Sequence, residues 1–356
     1  MAAPTTQPDG PGRGRRGWDR FAHAPWWVHV LATLGALLAI NVIALVIAGI
    51  FFINFVREHG PILGEIPRQS AVPDAEARAL AERFAPILRY DSHELFIPIR
   101  REAYVGQTQL KEEEGRFQRL LEAVPVLRKL PAVQGSCILL RGCHYFLDVR
   151  GVEPDPPKAS QRAYAELQTH LLRNGEKPAV YAHVTHYDDS GQYAVQYWFL
   201  YLFNYRLNEH ESDWEQITVR LDADKRPIDA VYSAHAGGNT REWSRLRRRG
   251  DHPVVYPALG SHANYFKTGR HRVEIVCKRI IGSIKSCLRG RTALVDVANG
   301  RGKNLAPGDY QLLEMTGPVF IGSYGSGNYV ILTRKPDILA DPRARVAWAD
   351  PLRPLR

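Results

Sequence analysis

The densest group of residues able to do chemistry is NEHESDWEQITVRLD at positions 208–222. If residues 213–221 form a strand, alternation places Asp213, Glu215, Ile217, Val219 and Leu221 on one face. Two carboxylates then share a face with an aliphatic row. A carboxylate in that setting needs a cation, a hydrogen-bond donor or access to solvent. His210 lies three positions earlier, on the incoming loop, and can fold over the strand end. A His, an Asp and a Glu converging on one point offer nitrogen and oxygen ligands to a divalent ion such as Ca²⁺ or Mg²⁺. The spacing is equally compatible with a cluster in which these carboxylates pair with arginines.

Two further histidines stand at strand ends. His235, in YSAHAGG, precedes a glycine pair, and His262, in LGSHANYF, follows a Gly-Ser turn. With Ser233 and Ser212 they are candidates for a polar pocket beside His210. Either histidine can also be read as a turn residue that bonds its own backbone. Trp198, Trp214 and Tyr197 read as core and wall. No G-x-S-x-G elbow and no H-E-x-x-H motif occurs, because His210-Glu211 is followed at position 214 by Trp. Ser233–His235 and Ser261–His262 are too close along the chain to suggest a triad. The one enzymatic route left is a metal-bound water activated by His235 or His262, and the reading leans away from an enzyme.

The elements that position these residues read mainly as strands. AVYAHVTHYDDSGQYAVQYWFLYLFN alternates about Asp188-Asp189-Ser190-Gly191, a hairpin signal, and short strands continue to NYVILTRK. Sixteen Tyr and seven Trp strengthen that leaning. Helical patterns are expected over 75–86, with Asp74 as N-cap, over 109–130, with Leu120, Leu121, Val124 and Leu127 on one side, and over 160–174, stopping at Asn174-Gly175. The expected fold is mainly β (α+β): an antiparallel β-sandwich with peripheral helices, preceded by one N-terminal transmembrane helix.

That helix is expected over residues 26–56, which contain no Asp, Glu, Lys or Arg. The run exceeds the roughly 20 apolar residues that cross a bilayer. It is longer than the roughly 7–15 residues of a signal-peptide core, the rival reading together with a buried helix. Arg13, Arg15, Arg16 and Arg20 precede it and only Arg57 and Arg68 closely follow, which predicts a cytoplasmic N-terminus and an extracytoplasmic main domain at the cell membrane. The expected organisation is a disordered cytoplasmic tail at 1–25, the span at 26–56, a Pro/Gly linker at 57–73, the β domain at 74–340 and a C-terminal tail at 341–356. Four cysteines fit an oxidising compartment. Cys137 with Cys143, and Cys277 with Cys287, are favoured as local disulfides, with a zinc site as the rival. The net charge of +10 includes one short cluster, Arg245, Arg247, Arg248 and Arg249, without any nucleic-acid-binding signature.

FAPILRYDSHELFIPI, VQYWFLYLFN leading to HESDWEQITV, VYSAHAGG, HPVVYPALGSHANYF and PVFIGSYGSG together resemble the Vps62 (vacuolar protein sorting-associated protein 62-like) family over about residues 80–335. The central block more distantly resembles the necrosis-inducing Nep1-like proteins, secreted β-sandwich cytolysins with a GHRHDWE heptapeptide. The latter resemblance implies an acidic divalent-cation site that helps bind lipid headgroups. It places the heptapeptide's first His on His210, its Asp on Asp213 and its Glu on Glu215, with Ser212 replacing the second His. A further family Asp falls near Asn204, whose amide oxygen can still ligate. The combined expectation is a membrane-anchored domain with a Ca²⁺ or Mg²⁺ site that binds an anionic or polyhydroxylated lipid or glycan headgroup. The alternatives are a metal-dependent envelope hydrolase and a non-catalytic scaffold.

Overall fold

The computed structural model describes residues 25–31, 33–43, 67–114, 117–130, 144–152, 157–206, 209–235, 237–274, 293–320, 322–325 and 340–352. Cys137, Cys143, Cys277 and Cys287 lie outside the described residues, so their expected pairing does too. The chain divides into two units, residues 1–65 and 66–356. In the first, helix α1 (Trp26–Ile43) has a mean hydropathy of 1.8 and no buried residue among those described, and is long and apolar enough to cross a membrane.

The second unit is mostly β. Its largest sheet has the order β1 (Gln69–Ser70), β6 (Ala179–Tyr187), β7 (Tyr193–Asn204), β8 (His210–Leu221), β9 (Pro227–Ala234) and β10 (Gly237–Glu242), with β17 (Gln311–Glu314) also on β6. Residues of β7 and β8 are buried on both faces almost throughout, which suits the unbroken aromatic and aliphatic run YAVQYWFLYLFN. The β6–β7 turn is made as the sequence predicts: Gly191 takes φ +66°, and its N–H donates to the Tyr187 carbonyl. A second sheet contains β11 (Arg248–Arg249), β12 (His252–Pro257), β2 (Ile87–Arg89), β16 (Asn304–Leu305) and β13 (Asn264–Tyr265). Leu88, Val255 and Leu305 of this sheet join Trp198, Tyr201 and Ile217 of the first in one core. Among the described strands, pairing is antiparallel except for β12 with β2 and β17 with β6, which run parallel. Two smaller sheets complete the described strands: β4 (Phe117–Glu122), β3 (Thr108–Glu114) and β5 (His144–Val149) form one, and β14 (Gly269–Glu274) with β15 (Ala293–Ala298) forms the other.

The helices are few. α2 (Asp74–Arg83) begins one residue earlier than expected, because Pro73 occupies the N-cap, without a side-chain cap bond, and Asp74 is the first helical residue. Its early position still sets a negative charge against the helix N-terminus. α3 (Arg101–Val105) is a short turn leading into β3. α4 (Pro157–Arg173) stops where predicted: Gly175 adopts φ +89°, and the N–H groups of Gly175 and Glu176 bond the Leu172 and Leu171 carbonyls. The helix expected over 109–130 does not form. That stretch is the β3–β4 hairpin followed by a short 3₁₀ turn at Leu127–Lys129. Partners far along the chain decide it, since β3 pairs in register with β5 from Thr108↔Val149 to Glu113↔His144. A local apolar period cannot see such a partner.

The residues expected as a C-terminal tail cross the first sheet, as α5 (Val346–Ala349) and its flanks. Gln69 and Gln196 donate to the carbonyls of Ala349 and Ala347, Tyr187 donates to Asp350, and Trp348 stacks on His183 with ring centres 3.8 Å apart. Part of the expected linker is also ordered, because Gln69 and Ser70 pair with Tyr187 and His186.

Candidate functional site

The candidate residues collect where the ends of β7, β8, β9, β12, β13 and β15 meet. Asp213 faces Tyr201 across the β7–β8 ladder and Glu215 faces Phe199, so the two carboxylates share a face as alternation requires. Ser212 interrupts the regular strand with φ +54°. Among the described residues only four non-glycine residues have positive φ: Ser212, Lys225, His235 and His262. Three of them are candidate site residues, and strained backbone of this kind collects at sites that over-determine it.

His262 is fully buried and bridges two carboxylates. Its Nδ1 lies 2.8 Å from Asp213 Oδ2 and its Nε2 lies 3.5 Å from Glu94 Oε1. The ring stacks on Tyr201 at 3.9 Å and meets the edge of Phe96. Burial works against a charge on this imidazole, but Glu94 and Asp213 outweigh it and its pKa is pushed up to about 9. Glu94 is itself fixed, accepting from the N–H groups of Leu95 and Phe96 through Oε1 and from Gly260 N–H at 2.7 Å through Oε2.

Asp213 receives its hydrogen bonds on one oxygen. Asn204 Nδ2 donates to Oδ2 at 3.3 Å, beside His262, and Oδ1 accepts none from the described residues. Glu215 follows the same pattern, since Ser233 Oγ donates to Oε2 and Oε1 accepts none from the described residues. Burial, and then the neighbouring Asp213 charge, push the Glu215 carboxyl well above the usual carboxylate range; the Ser233 hydrogen bond opposes this. No arginine forms a salt bridge with Asp213 or Glu215 among the described residues.

His210 is buried, which holds its pKa below the ordinary histidine value. Its Nδ1 points at the carbonyls of Ser212, 2.6 Å away, and Glu211, so Nδ1 carries the proton and Nε2 carries the lone pair. That is the tautomer in which histidines usually ligate metals. As they stand, no three His, Cys, Asp or Glu side chains among the described residues converge closely enough to hold a metal ion.

His235 belongs to a neighbouring cluster that sequence reasoning did not assemble. Its Nε2 lies 2.7 Å from Asp296 Oδ2, while Tyr265 and Ser261 donate to the same carboxylate at 2.8 and 3.1 Å. Burial opposes charge on Asp296, but His235 and the two hydroxyls bring its pKa below the usual value. Ser261 therefore bonds the carboxylate rather than a histidine, and no Ser-His-Asp relay forms. Glu94 and Asp296 were both missed. The signal for Asp296 was present as a single Asp inside the apolar strand ALVDVA, and for Glu94 as the last residue of a polar turn before FIPI.

No family model matches the chain, and no curated protein matches it. Several solved structures of Nep1-like proteins are similar. One is NLPPya in complex with mannosamine, with 16% identity over 57% of this chain and 73% of that one and a TM-score of 0.29. Another is the necrosis and ethylene inducing protein 2 from the causal agent of cocoa's witches' broom disease, with 14% identity, 57% and 71% coverage and a TM-score of 0.28. A third is the non-toxic HaNLP3 protein, with 12% identity, 70% and 80% coverage and a TM-score of 0.29. Likeness at this distance carries over neither ligand nor mechanism, and the chemistry of the site rests on its own geometry.

Proposed function

We propose that this chain is a membrane-anchored recognition protein of the Vps62 kind. Helix α1 spans the cell membrane with the N-terminus cytoplasmic. The β domain, an antiparallel sandwich, stands outside and binds an anionic or polyhydroxylated lipid or glycan headgroup through a divalent cation, Ca²⁺ or Mg²⁺. The observation that carries this reading is an open oxygen on each of Asp213 and Glu215, with His262, on Asp213 Oδ2, as their one ion-pair partner among the described residues. Each carboxylate keeps one oxygen without a donor among the described residues, and burial together with the Asp213 charge disfavours ionisation of Glu215. A cation that drew in Asp213 Oδ1, Glu215 Oε1 and the lone pair of His210 Nε2 would offset that repulsion, with Asn204 at the rim.

Recognition is favoured over the hydrolase alternative by the state of the histidines. His262 is close enough to Asp213 to act with it, but both of its nitrogens face carboxylates and its ring has no exposed surface. A general acid or base needs a nitrogen within hydrogen-bond reach of substrate. The scaffold alternative expected the carboxylates to be closed off by arginines, and their partners are instead Asn204, Ser233 and His262.

Calorimetric titration of the full chain in detergent with Ca²⁺, Mg²⁺ and Mn²⁺ tests the proposal. Saturable binding that is lost in Asp213→Ala is expected. An absence of binding to all three ions, or binding indifferent to that substitution, overturns it.

A further inference from the structure

Outside α1, seven large apolar side chains are exposed among the described residues, and five of them fall within residues 117–126. They are Phe117, 82% exposed at the start of β4, then Leu120, Leu121, Val124 and Val126. All six residues of β4 are exposed. The register against β3 shifts between Leu120 and Glu122, which leaves Leu121 without a partner in the ladder. Among the described residues, strand β4 pairs only with β3, on one edge. Strand β4 is therefore an apolar edge exposed on both faces, unlike the single flat patch that a partner protein covers.

We propose that the β3–β4 hairpin is a bilayer-contacting surface, with Phe117, Leu120 and Leu121 entering the acyl-chain boundary; this rests on the reading of α1 as a membrane span. A bilayer encloses a protrusion from all sides, which answers the two-faced exposure. Cations flank the apolar residues: Arg119 is 72% exposed, with Arg128 and Lys129 exposed beyond Val126. Such residues sit favourably at anionic headgroups. Arg119 also bonds Glu112, which leaves Glu122, at the far end of β4 from Phe117, as the exposed carboxylate of that strand. The chain between Ile43 and Gln69 reaches at most about 3.5 Å per residue, so the tether keeps a bilayer at high effective concentration.

The test uses the full chain in vesicles of phosphatidylcholine and phosphatidylserine, with p-benzoylphenylalanine placed at position 117 or, as a control, at the exposed position 228 on β9. Irradiation is expected to give lipid adducts at 117 about tenfold above those at 228, the ratio that burial of one large apolar side chain sustains. With the probe moved to position 120, Phe117→Asp combined with Leu121→Asp is expected to cut lipid adducts by a similar factor. Adducts to a second copy or to another protein, or lipid adducts no higher than at 228, overturn the proposal. Carbonate washing separates it from the anchoring reading. A chain that resists carbonate yet gives no adduct at 117 defeats only the hairpin contact, and one that washes free while still forming lipid adducts defeats only the span.

Discussion

His262 reaches Asp213 through Nδ1 at 2.8 Å and Glu94 through Nε2 at 3.5 Å, joining a loop after β12, the strand β8 and the turn before α3 through one charged ring. The folded-state pKa of about 9 lies above the ordinary histidine value. The pairing therefore contributes fully below the unfolded pKa of about 6.5 and is lost as pH rises through about 9, by up to about 3 kcal/mol. Melting temperature should fall by several degrees between neutral pH and the alkaline side of that window. His262→Gln should be less stable at neutral pH and should lack that decline; a parallel decline in the variant would refute the assignment.

Glu215 shifts in the same direction for a different reason, since burial and Asp213 disfavour its charge. Its protonated form is native-like, so the site costs nothing at acid pH and costs progressively more as pH rises above about 4.5, where the unfolded carboxyl ionises. Glu215→Gln keeps an acceptor for Ser233 and removes the ionisation. In metal-free buffer above neutrality it should be more stable than the natural chain by about 1–3 kcal/mol in urea unfolding. Saturating Ca²⁺ should raise the stability of the natural chain and leave the variant unchanged.

Gly260 tests the positioning of Glu94 without removing a charged group. Its φ is +73°, its N–H donates to Glu94, and a Cβ there would lie 2.6 Å from the Tyr205 ring. Gly260→Ala should cost about 2 kcal/mol or more through backbone strain and collision. The alkaline decline assigned to His262 should shift to lower pH in the same variant, which pH-dependent unfolding would read.

Arg101 and Asp341 form a buried pair 3.5 Å apart, with side-chain exposures of 1% and 0%. Removing one partner strands the other, so Asp341→Ala should destabilise by about 3–5 kcal/mol. Arg101→Met combined with Asp341→Leu should recover only part of that loss, because Arg343, which bonds Asp341 at 2.8 Å, loses its partner in both variants. An additive double variant in equilibrium unfolding would show that the two charges do not support each other.

The β6–β7 hairpin, the stop of α4 and the shared face of Asp213 and Glu215 were legible because each depends on neighbours within a few residues. The region 109–130 was not, since its strand partner β5 begins at His144 and the apolar period resembled a helix. The grouping of His262 with Asp213 was only half legible. Both residues stood out individually, but Glu94, on the other side of the ring, lies 168 positions away in sequence. His210 was singled out correctly as a residue of interest, whereas the tautomer that suits it to ligation depends on the left-handed turn at Ser212.

The crossing of the first sheet by residues 340–352 has a consequence for the order of assembly. β1 is the first strand of the domain to leave the ribosome, yet Gln69 bonds Ala349 and its sheet neighbour Tyr187 bonds Asp350. Neither contact can form until residue 350 has emerged. A nascent chain must therefore keep Gln196, His183 and Tyr187 uncovered through most of translation. Export factors or chaperones that shield this sheet would act in that interval, and stop codons placed shortly before residue 340 should yield a protein cleared by quality control although every residue of the Asp213 site is present.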